Sequence, residues 1–178
     1  MLLKRLVLLV CLAGCPSDDE LLPECTALET DSVMLVCSTL DNQMSDITDG
    51  SNVPLLAAPQ GGHILFVGAR VRAARDCQLT AKAALRDPST QRVLGLEERP
   101  LLLDRKSDGW AVPRDGLDSM PNVAVCPSSA ANTAVYDRPL ELEITLSTLA
   151  GTPIITRTAQ ITPTCDDDWC RTDCAAHL

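Results

Sequence analysis

The chain has 178 residues and a net charge of −9, with 24 Asp and Glu residues against 15 Lys and Arg residues. This length is enough for one domain with its own core. The negative charge argues against a nucleic-acid-binding protein and against attraction to anionic lipid headgroups. An aromatic content of 2% argues against sites that stack sugars or bases on rings.

The first fifteen residues have the order of a secretory signal peptide. Lys4 and Arg5 precede an apolar run, Leu6–Leu12, which is too short to span a bilayer, for which about 20 residues are needed. The run ends in Leu12-Ala13-Gly14-Cys15, which resembles the lipobox of bacterial lipoproteins. The resemblance implies that residues 1–14 are removed, and that Cys15 carries palmitate and other acyl chains that hold the protein at a membrane.

Three further regions follow the signal peptide. Residues 15–31 are acidic and without a persistent period, which predicts a disordered, flexible tether. Residues 32–164 form the predicted domain, and 165–178 a Cys-rich tail. Loss of Lys4 and Arg5 with the leader takes the charge from −9 to −11. Because Pro16 stands where known lipoproteins retained at the inner membrane carry Asp, we expect outer-membrane anchoring, facing the periplasm or the cell surface.

Alternation of apolar and polar residues dominates the predicted domain. Leu140, Leu142, Ile144 and Leu146 alternate with Glu141, Glu143, Thr145 and Ser147, and a strand with one buried face has this period. Residues 32–37 predict a strand or a short helix, and 38–62 a loop. The remaining predicted strands are 63–73, 77–86, 91–103, 110–114, 122–126, 139–149 and 153–163.

Turn signals complete the prediction of an all-β fold. Asp87-Pro88-Ser89-Thr90 and Ala150-Gly151-Thr152 have the residue types of tight turns between neighbouring strands. About seven short strands with frequent turns favour an antiparallel β-sandwich after a disordered tether. It resembles immunoglobulin-like and fibronectin-like sandwiches. A small β-barrel is the alternative.

The cysteines predict an oxidised, exported protein. Cys11 leaves with the leader and Cys15 is acylated, so seven remain, and three disulfides leave one thiol free. Cys77 and Cys126 lie at the ends of predicted strands, which favours a bond between them. Cys25–Cys37 is a second candidate pair. The C-terminal cysteines are expected to form a bridge among themselves or to the N-terminal pair. The seven are Cys25, Cys37, Cys77, Cys126, Cys165, Cys170 and Cys174.

The tail also contains a candidate zinc set. Cys165, Cys170, Cys174 and His177 have the spacing C-x4-C-x3-C-x2-H, and three thiolates with one imidazole can complete a tetrahedral site. Oxidation competes for the same sulfurs, so disulfides are the preferred interpretation and zinc the alternative.

Other candidate sites have simpler structural interpretations. His63 follows two glycines, and we expect a turn-flanking histidine bonded to backbone rather than a catalytic base. The acidic groups Asp166–Asp168 and Asp104 with Asp108 lack the ligand spacing of a calcium loop, so we expect solvated faces. No G-x-S-x-G, H-E-x-x-H or G-x-x-x-x-G-K-[ST] motif occurs.

These observations favour a non-enzymatic, membrane-anchored envelope lipoprotein that acts as a structural or protein-interaction module. We expect no cofactor, no nucleic-acid partner and an envelope protein as the partner. The alternative is a metal-binding or thiol-redox accessory lipoprotein that uses the C-terminal cysteines.

Overall fold

A computed structural model describes residues 22–25, 28–114, 119–127 and 134–175. The predicted signal peptide, Cys15 and His177 lie outside the described residues. The described part is mostly β-structure, as the sequence predicts. A single 3-10 turn, Thr30–Ser32, precedes the first strand, and a short helix, α1 (Asp168–Asp173), follows the last one.

Eleven strands lie within the described residues. They are β1 (Val33–Ser38), β2 (Met44–Ile47), β3 (Ser51–Pro54), β4 (Leu56–Ala57), β5 (His63–Arg72), β6 (Cys77–Arg86), β7 (Val93–Arg105), β8 (Trp110–Pro113), β9 (Asn122–Cys126), β10 (Leu140–Ser147) and β11 (Pro153–Thr164).

The strands form one nearly closed, barrel-like sheet, and the predicted seven-strand sandwich is therefore wrong. The order is β2–β1–β5–β8–β7–β6–β10–β11–β3, while β4 and β9 pair with β5. Closure depends on the segment 51–57. Its first half, β3, pairs in parallel with β11, and its second half, β4, pairs antiparallel with β5. One short stretch of chain thus links strands from the two sides of the sheet.

Strand β5 organises this closure because its two halves have different neighbours. Residues His63–Phe66 pair with β9, whereas Val67–Val71 pair with β1. Val71 and Arg72 also pair with β8. The first nine residues of β5 are buried or half-buried, as expected for a strand covered on both faces.

The core comes mainly from aliphatic side chains that alternate as the sequence predicts. Leu140, Leu142, Ile144 and Leu146 on β10 are at most 1% exposed. Burial of each such side chain contributes about 1.5–3 kcal/mol relative to an exposed one. The sheet also contains close backbone approaches. A Cβ on Gly95 of β7 would lie 2.8 Å from the Ala124 carbonyl oxygen of β9, so a side chain there would push the two strands apart.

Residues 22–25 pack along β6 although they belong to the predicted tether. The Gln78 amide donates to the Pro23 carbonyl at 2.9 Å, and the Cys25 amide donates to the Gln78 carbonyl at 3.1 Å. Glu24 forms a parallel bridge with Gln78. The N-terminal segment is therefore attached to the sheet before β1 begins.

Candidate functional site

His63 lies at the first position of β5, where the backbone passes unusually close to β9. Gly62 has φ +80°, and a Cβ on it would collide with the Cys126 carbonyl oxygen. Glycine adopts this conformation without steric cost and leaves room for the approach. His63 then pairs in register with Cys126, the last residue of β9.

The C-terminal helix covers His63. The Asp167 carboxylate accepts a hydrogen bond from the Cys170 amide at 2.7 Å and so caps the first turn of α1. Asp173, the last residue of α1, places Oδ2 at 2.8 Å from His63 Nδ1. The ring of Trp169 lies 4.5 Å from the imidazole, tilted by 58°. His63 is consequently only 2% exposed, whereas Trp169 is 53% exposed and separates it from solvent.

Two disulfides hold the helix in this position. Cys126–Cys174 joins the end of β9 to the residue after α1, and Cys165–Cys170 closes a short loop at the start of the helix. The Arg171 guanidinium adds a hydrogen bond to the Cys165 carbonyl at 3.0 Å. We call His63, Asp173, Trp169 and these two disulfides the His63 cluster.

The expected role of His63 needs correction. We predicted a histidine bonded to backbone, but its Nδ1 contacts a carboxylate instead. The pair resembles a base with its orienting acid, yet a general base must reach a proton on a substrate. At 2% exposure the imidazole is covered. The contact ties the start of β5 to the end of α1.

The sulfurs of the predicted zinc set are all oxidised in this structure. Cys165, Cys170 and Cys174 each belong to a disulfide, and a disulfide sulfur lacks the thiolate charge that binds zinc. The structure nevertheless places a His63 ring nitrogen and the sulfurs of Cys170 and Cys174 within 4.8 Å of one another. Sequence reasoning missed His63 as a member because 107 residues separate it from Cys170, and only the fold brings them together.

Both predicted disulfide pairs, Cys77–Cys126 and Cys25–Cys37, are wrong. Cys77 bonds to Cys25 and not to Cys126, and Cys37 has no disulfide partner. The expected bridge within the C-terminal cysteines exists as Cys165–Cys170. One thiol is left over among the seven cysteines that the structure describes. It is Cys37, a buried residue of β1, and burial raises the pKa of its thiol, so it stays protonated and weakly nucleophilic.

Four of the five aspartates considered as calcium ligands have partners among the described residues. Asp104 forms an ion pair with Arg114 at 2.7 Å, and the Asp108 carboxylate accepts from the Trp110 amide at 3.1 Å. Asp167 caps α1, and Asp168 pairs with Arg171 at 3.1 Å. Each of these carboxylates therefore has a structural function in a turn, a cap or an ion pair.

The other end of β5 carries a group of cationic side chains. The guanidinium carbons of Arg70 and Arg72 lie 4.7 Å and 4.6 Å from the ring centroid of Trp110. Both arginines point to the outer face of β5, as the alternation predicts. Arg72 also lines a cavity of about 510 Å³. The other lining groups include Arg75, Arg105 and the Cys25–Cys77 disulfide. We call this hollow the arginine cavity.

No known protein family matches this chain, and comparisons with curated proteins and with solved structures also gave no match. Within the described residues, no helix is long and apolar enough to cross a bilayer.

Proposed function

We propose that the protein is an exported, lipid-anchored lipoprotein of the cell envelope, held at the outer membrane by acyl chains on Cys15. Its barrel-like domain serves as a non-enzymatic structural or protein-interaction module with an envelope protein as its partner. The observation that carries this proposal is the set of three disulfides within the described residues. Such bonds persist in oxidising compartments and are rare in the cytosol.

The position of the first disulfide supports an anchored domain in particular. Cys25 lies within the predicted tether, 15–31, and bonds to Cys77, the first residue of β6. Strand β6 lies between β7 and β10, inside the sheet. A force applied at Cys15 would therefore reach an interior strand through a covalent bond, and β1 would not peel away first.

The anchor is tested by mass spectrometry of the mature N-terminal peptide and by membrane fractionation. We expect a peptide that begins at an acylated Cys15, and release of the Cys15→Ser protein into the soluble fraction. Cys37→Ser is the matched control, since it removes the other cysteine without a disulfide and leaves the anchor intact. An unmodified Cys15 in membrane-associated protein would refute the proposal.

A thiol titration tests independently whether residues 1–14 are removed and Cys15 is acylated. After unfolding without reductant, the mature lipoprotein should expose one thiol, that of Cys37. A chain that keeps residues 1–14 and is not acylated should expose three, from Cys11, Cys15 and Cys37. Three thiols on purified membrane-bound protein would contradict processing at the lipobox.

The second candidate is a metal-binding or thiol-redox accessory protein, and the grouping of His63, Cys170 and Cys174 favours it. On reduction, two thiolates and an imidazole would lie close enough to bind one ion. The test compares zinc bound by oxidised and by reduced protein, with His63→Gln as the variant. Stoichiometric zinc in natively exported protein, lost in His63→Gln, would favour this candidate over the structural module.

A further inference from the structure

The arginine cavity groups three arginines that lack acidic partners among the described residues. Six arginines of the described residues form ion pairs with carboxylates; they are Arg70, Arg86, Arg99, Arg114, Arg138 and Arg171. Arg72, Arg75 and Arg105 form no such pair within the described parts of the chain, and all three line the same cavity. The protein is acidic as a whole, yet no carboxylate of the described residues forms an ion pair with these three guanidinium groups.

Local contacts fix two of these arginines and leave much of their hydrogen-bonding capacity unused. Arg72 Nη1 donates to the Asp108 carbonyl at 3.3 Å, and its guanidinium stacks on Trp110. Arg105 Nε donates to the Ala73 carbonyl at 3.1 Å. A guanidinium carries five N–H donors, so both groups are oriented and still have donors for an anion.

Two acidic residues near the cavity accept hydrogen bonds from backbone amides and form no ion pair with its arginines within the described residues. Glu24 lines it, but its Oε1 accepts a hydrogen bond from the Leu149 amide at 2.6 Å. The Asp76 carboxylate accepts from the Arg105 amide at 2.7 Å. Glu29 and Asp31 border a separate hollow of about 300 Å³ that shares only Arg72 with the cavity.

The cavity also lies where the N-terminal segment joins the sheet, because Glu24 and Cys25 form part of its wall. Glu24 lies nine positions after Cys15, and a fully extended chain spans about 30 Å over nine steps. An acyl anchor on Cys15 would hold the cavity within that distance of the bilayer surface. The nearest abundant anions would then be lipid phosphates.

We propose that the arginine cavity holds the phosphate of an anionic phospholipid headgroup, so that the domain docks on its own membrane by this end. The proposal rests on the lipid anchor proposed above. Its volume of about 510 Å³ lies within the range of small-molecule sites. Bidentate guanidinium contacts suit phosphate oxygens, and each cation near an anionic surface contributes about 1 kcal/mol. The net negative charge disfavours membrane contact elsewhere on the protein, which selects this end for docking.

Hydrogen exchange of the lipidated protein in vesicles tests the proposal. We compare vesicles of phosphatidylcholine with vesicles of equal parts phosphatidylcholine and phosphatidylglycerol. Amides of the 73–76 loop should exchange about fivefold more slowly on the anionic vesicles, which corresponds to ~1 kcal/mol. The 87–90 turn, at the opposite end of the β6–β7 hairpin, is the internal control and should not change.

Matched variants separate a specific site from diffuse attraction. Arg75→Gln and Arg105→Gln should each abolish most of the slowing, and added NaCl should weaken it. Arg92→Gln removes the same charge from an exposed residue outside the cavity and should leave the slowing intact. Equal exchange on both vesicle types, or equal effects of Arg75→Gln and Arg92→Gln, would overturn the proposal.

Three further results test the headgroup assignment and the anchor separately. If millimolar inorganic phosphate slows the loop equally on phosphatidylcholine vesicles, the site takes free phosphate and the headgroup assignment is wrong. If Cys15 proves acylated while the loop ignores lipid composition, the anchor stands and the docking proposal fails. If Cys15 is not acylated, mass spectrometry shows it directly and the anchor proposal itself fails.

Discussion

The two ends of β5 are about 30 Å apart and differ in almost every physical respect. At the His63 end, a helix and two disulfides bury an imidazole against a carboxylate. At the Arg72 end, three arginines without acidic partners surround a cavity beside one disulfide. Both ends are cross-linked, so cross-linking does not mark the site. The two ends differ in whether their polar groups have partners. Unpaired guanidinium groups in a cavity can bind an anion, whereas the buried His63–Asp173 contact stabilises the fold.

The largest expected effect compares the disulfides of the two ends. Replacing Cys126 and Cys174 together by Ser, or Cys25 and Cys77 together, should each lower the free energy of unfolding by about 4 kcal/mol, because each bond closes a loop of about 50 residues. Replacing Cys165 and Cys170, which are five residues apart, should cost about 2 kcal/mol. Urea denaturation of the three double variants measures this. Equal losses in all three would show that loop length does not govern these bonds.

The close backbone approach beside His63 gives the next largest effect. Gly62→Ala should cost about 3 kcal/mol, because it combines a left-handed φ with a collision against the Cys126 carbonyl. Gly61→Ala is the control, since Gly61 has φ +94° with nothing within 4 Å of its Cβ position. It should cost only about 1 kcal/mol. Thermal unfolding of both variants tests whether β5 and β9 are in contact there.

Asp173→Ala tests the buried pair of the His63 end. It leaves the His63 Nδ1 without its partner, and we expect a loss of about 2 kcal/mol in urea denaturation. Near-UV circular dichroism should change as Trp169 loses its fixed tilt. Asp168→Ala, at a fully exposed carboxylate of the same helix, should leave the free energy of unfolding nearly unchanged. Similar losses from both variants would mean that the His63–Asp173 contact is dispensable.

The smallest effect concerns pH at the Asp87 turn, which lies at the same end as His63. Hydrogen bonds from Ser89 and the Arg138 ion pair hold the pKa of the Asp87 carboxyl well below its usual value. The ionised carboxylate thus stabilises the fold at neutral pH, and the contribution is lost as pH falls below about 4 toward the folded-state pKa. Asp87→Asn should be less stable than wild type at neutral pH, with a gap that narrows in acid.

Ser89→Ala removes the largest contribution to that pKa shift and should reproduce part of the effect. Guanidinium titrations at several pH values measure the gap, which is the difference in the free energy of unfolding between wild type and variant. A gap that stays constant down to acid pH would mean that the Asp87 pKa is not lowered. Acid sensitivity would then not distinguish the His63 end from the arginine cavity.

Much of the sheet could be predicted because strand alternation is a local property. Strands 77–86 and 122–126 were predicted with the bounds that the structure has, and Asp87–Thr90 joins β6 to β7 as expected. Residues 38–62 were predicted as a loop, yet they contain β2, β3 and β4. These strands have four residues or fewer and no sustained alternation. Their pairing is supplied by β1, β11 and β5, which is why the sandwich was predicted in place of the nearly closed sheet.

The cysteine pairs could not be predicted for a related reason. Cys77 was correctly placed at a strand end, but its partner depends on which other chain segment reaches that end of the sheet. The same holds for His63 and Asp173, which are 110 residues apart and meet only when α1 folds back over β5. Spacing along the chain carries no information on such contacts.

The sequence by itself determined the alternating strands, the tight turns and the odd number of cysteines, because each depends on neighbouring residues or on counting. It also contains Leu12-Ala13-Gly14-Cys15, the resemblance to a lipobox on which the proposed anchor rests. Only the tertiary structure decided how the sheet closes, which thiol stays free and which arginines lack acidic partners. Those properties depend on contacts between segments far apart in the chain, where packing and charge balance are set by the whole fold.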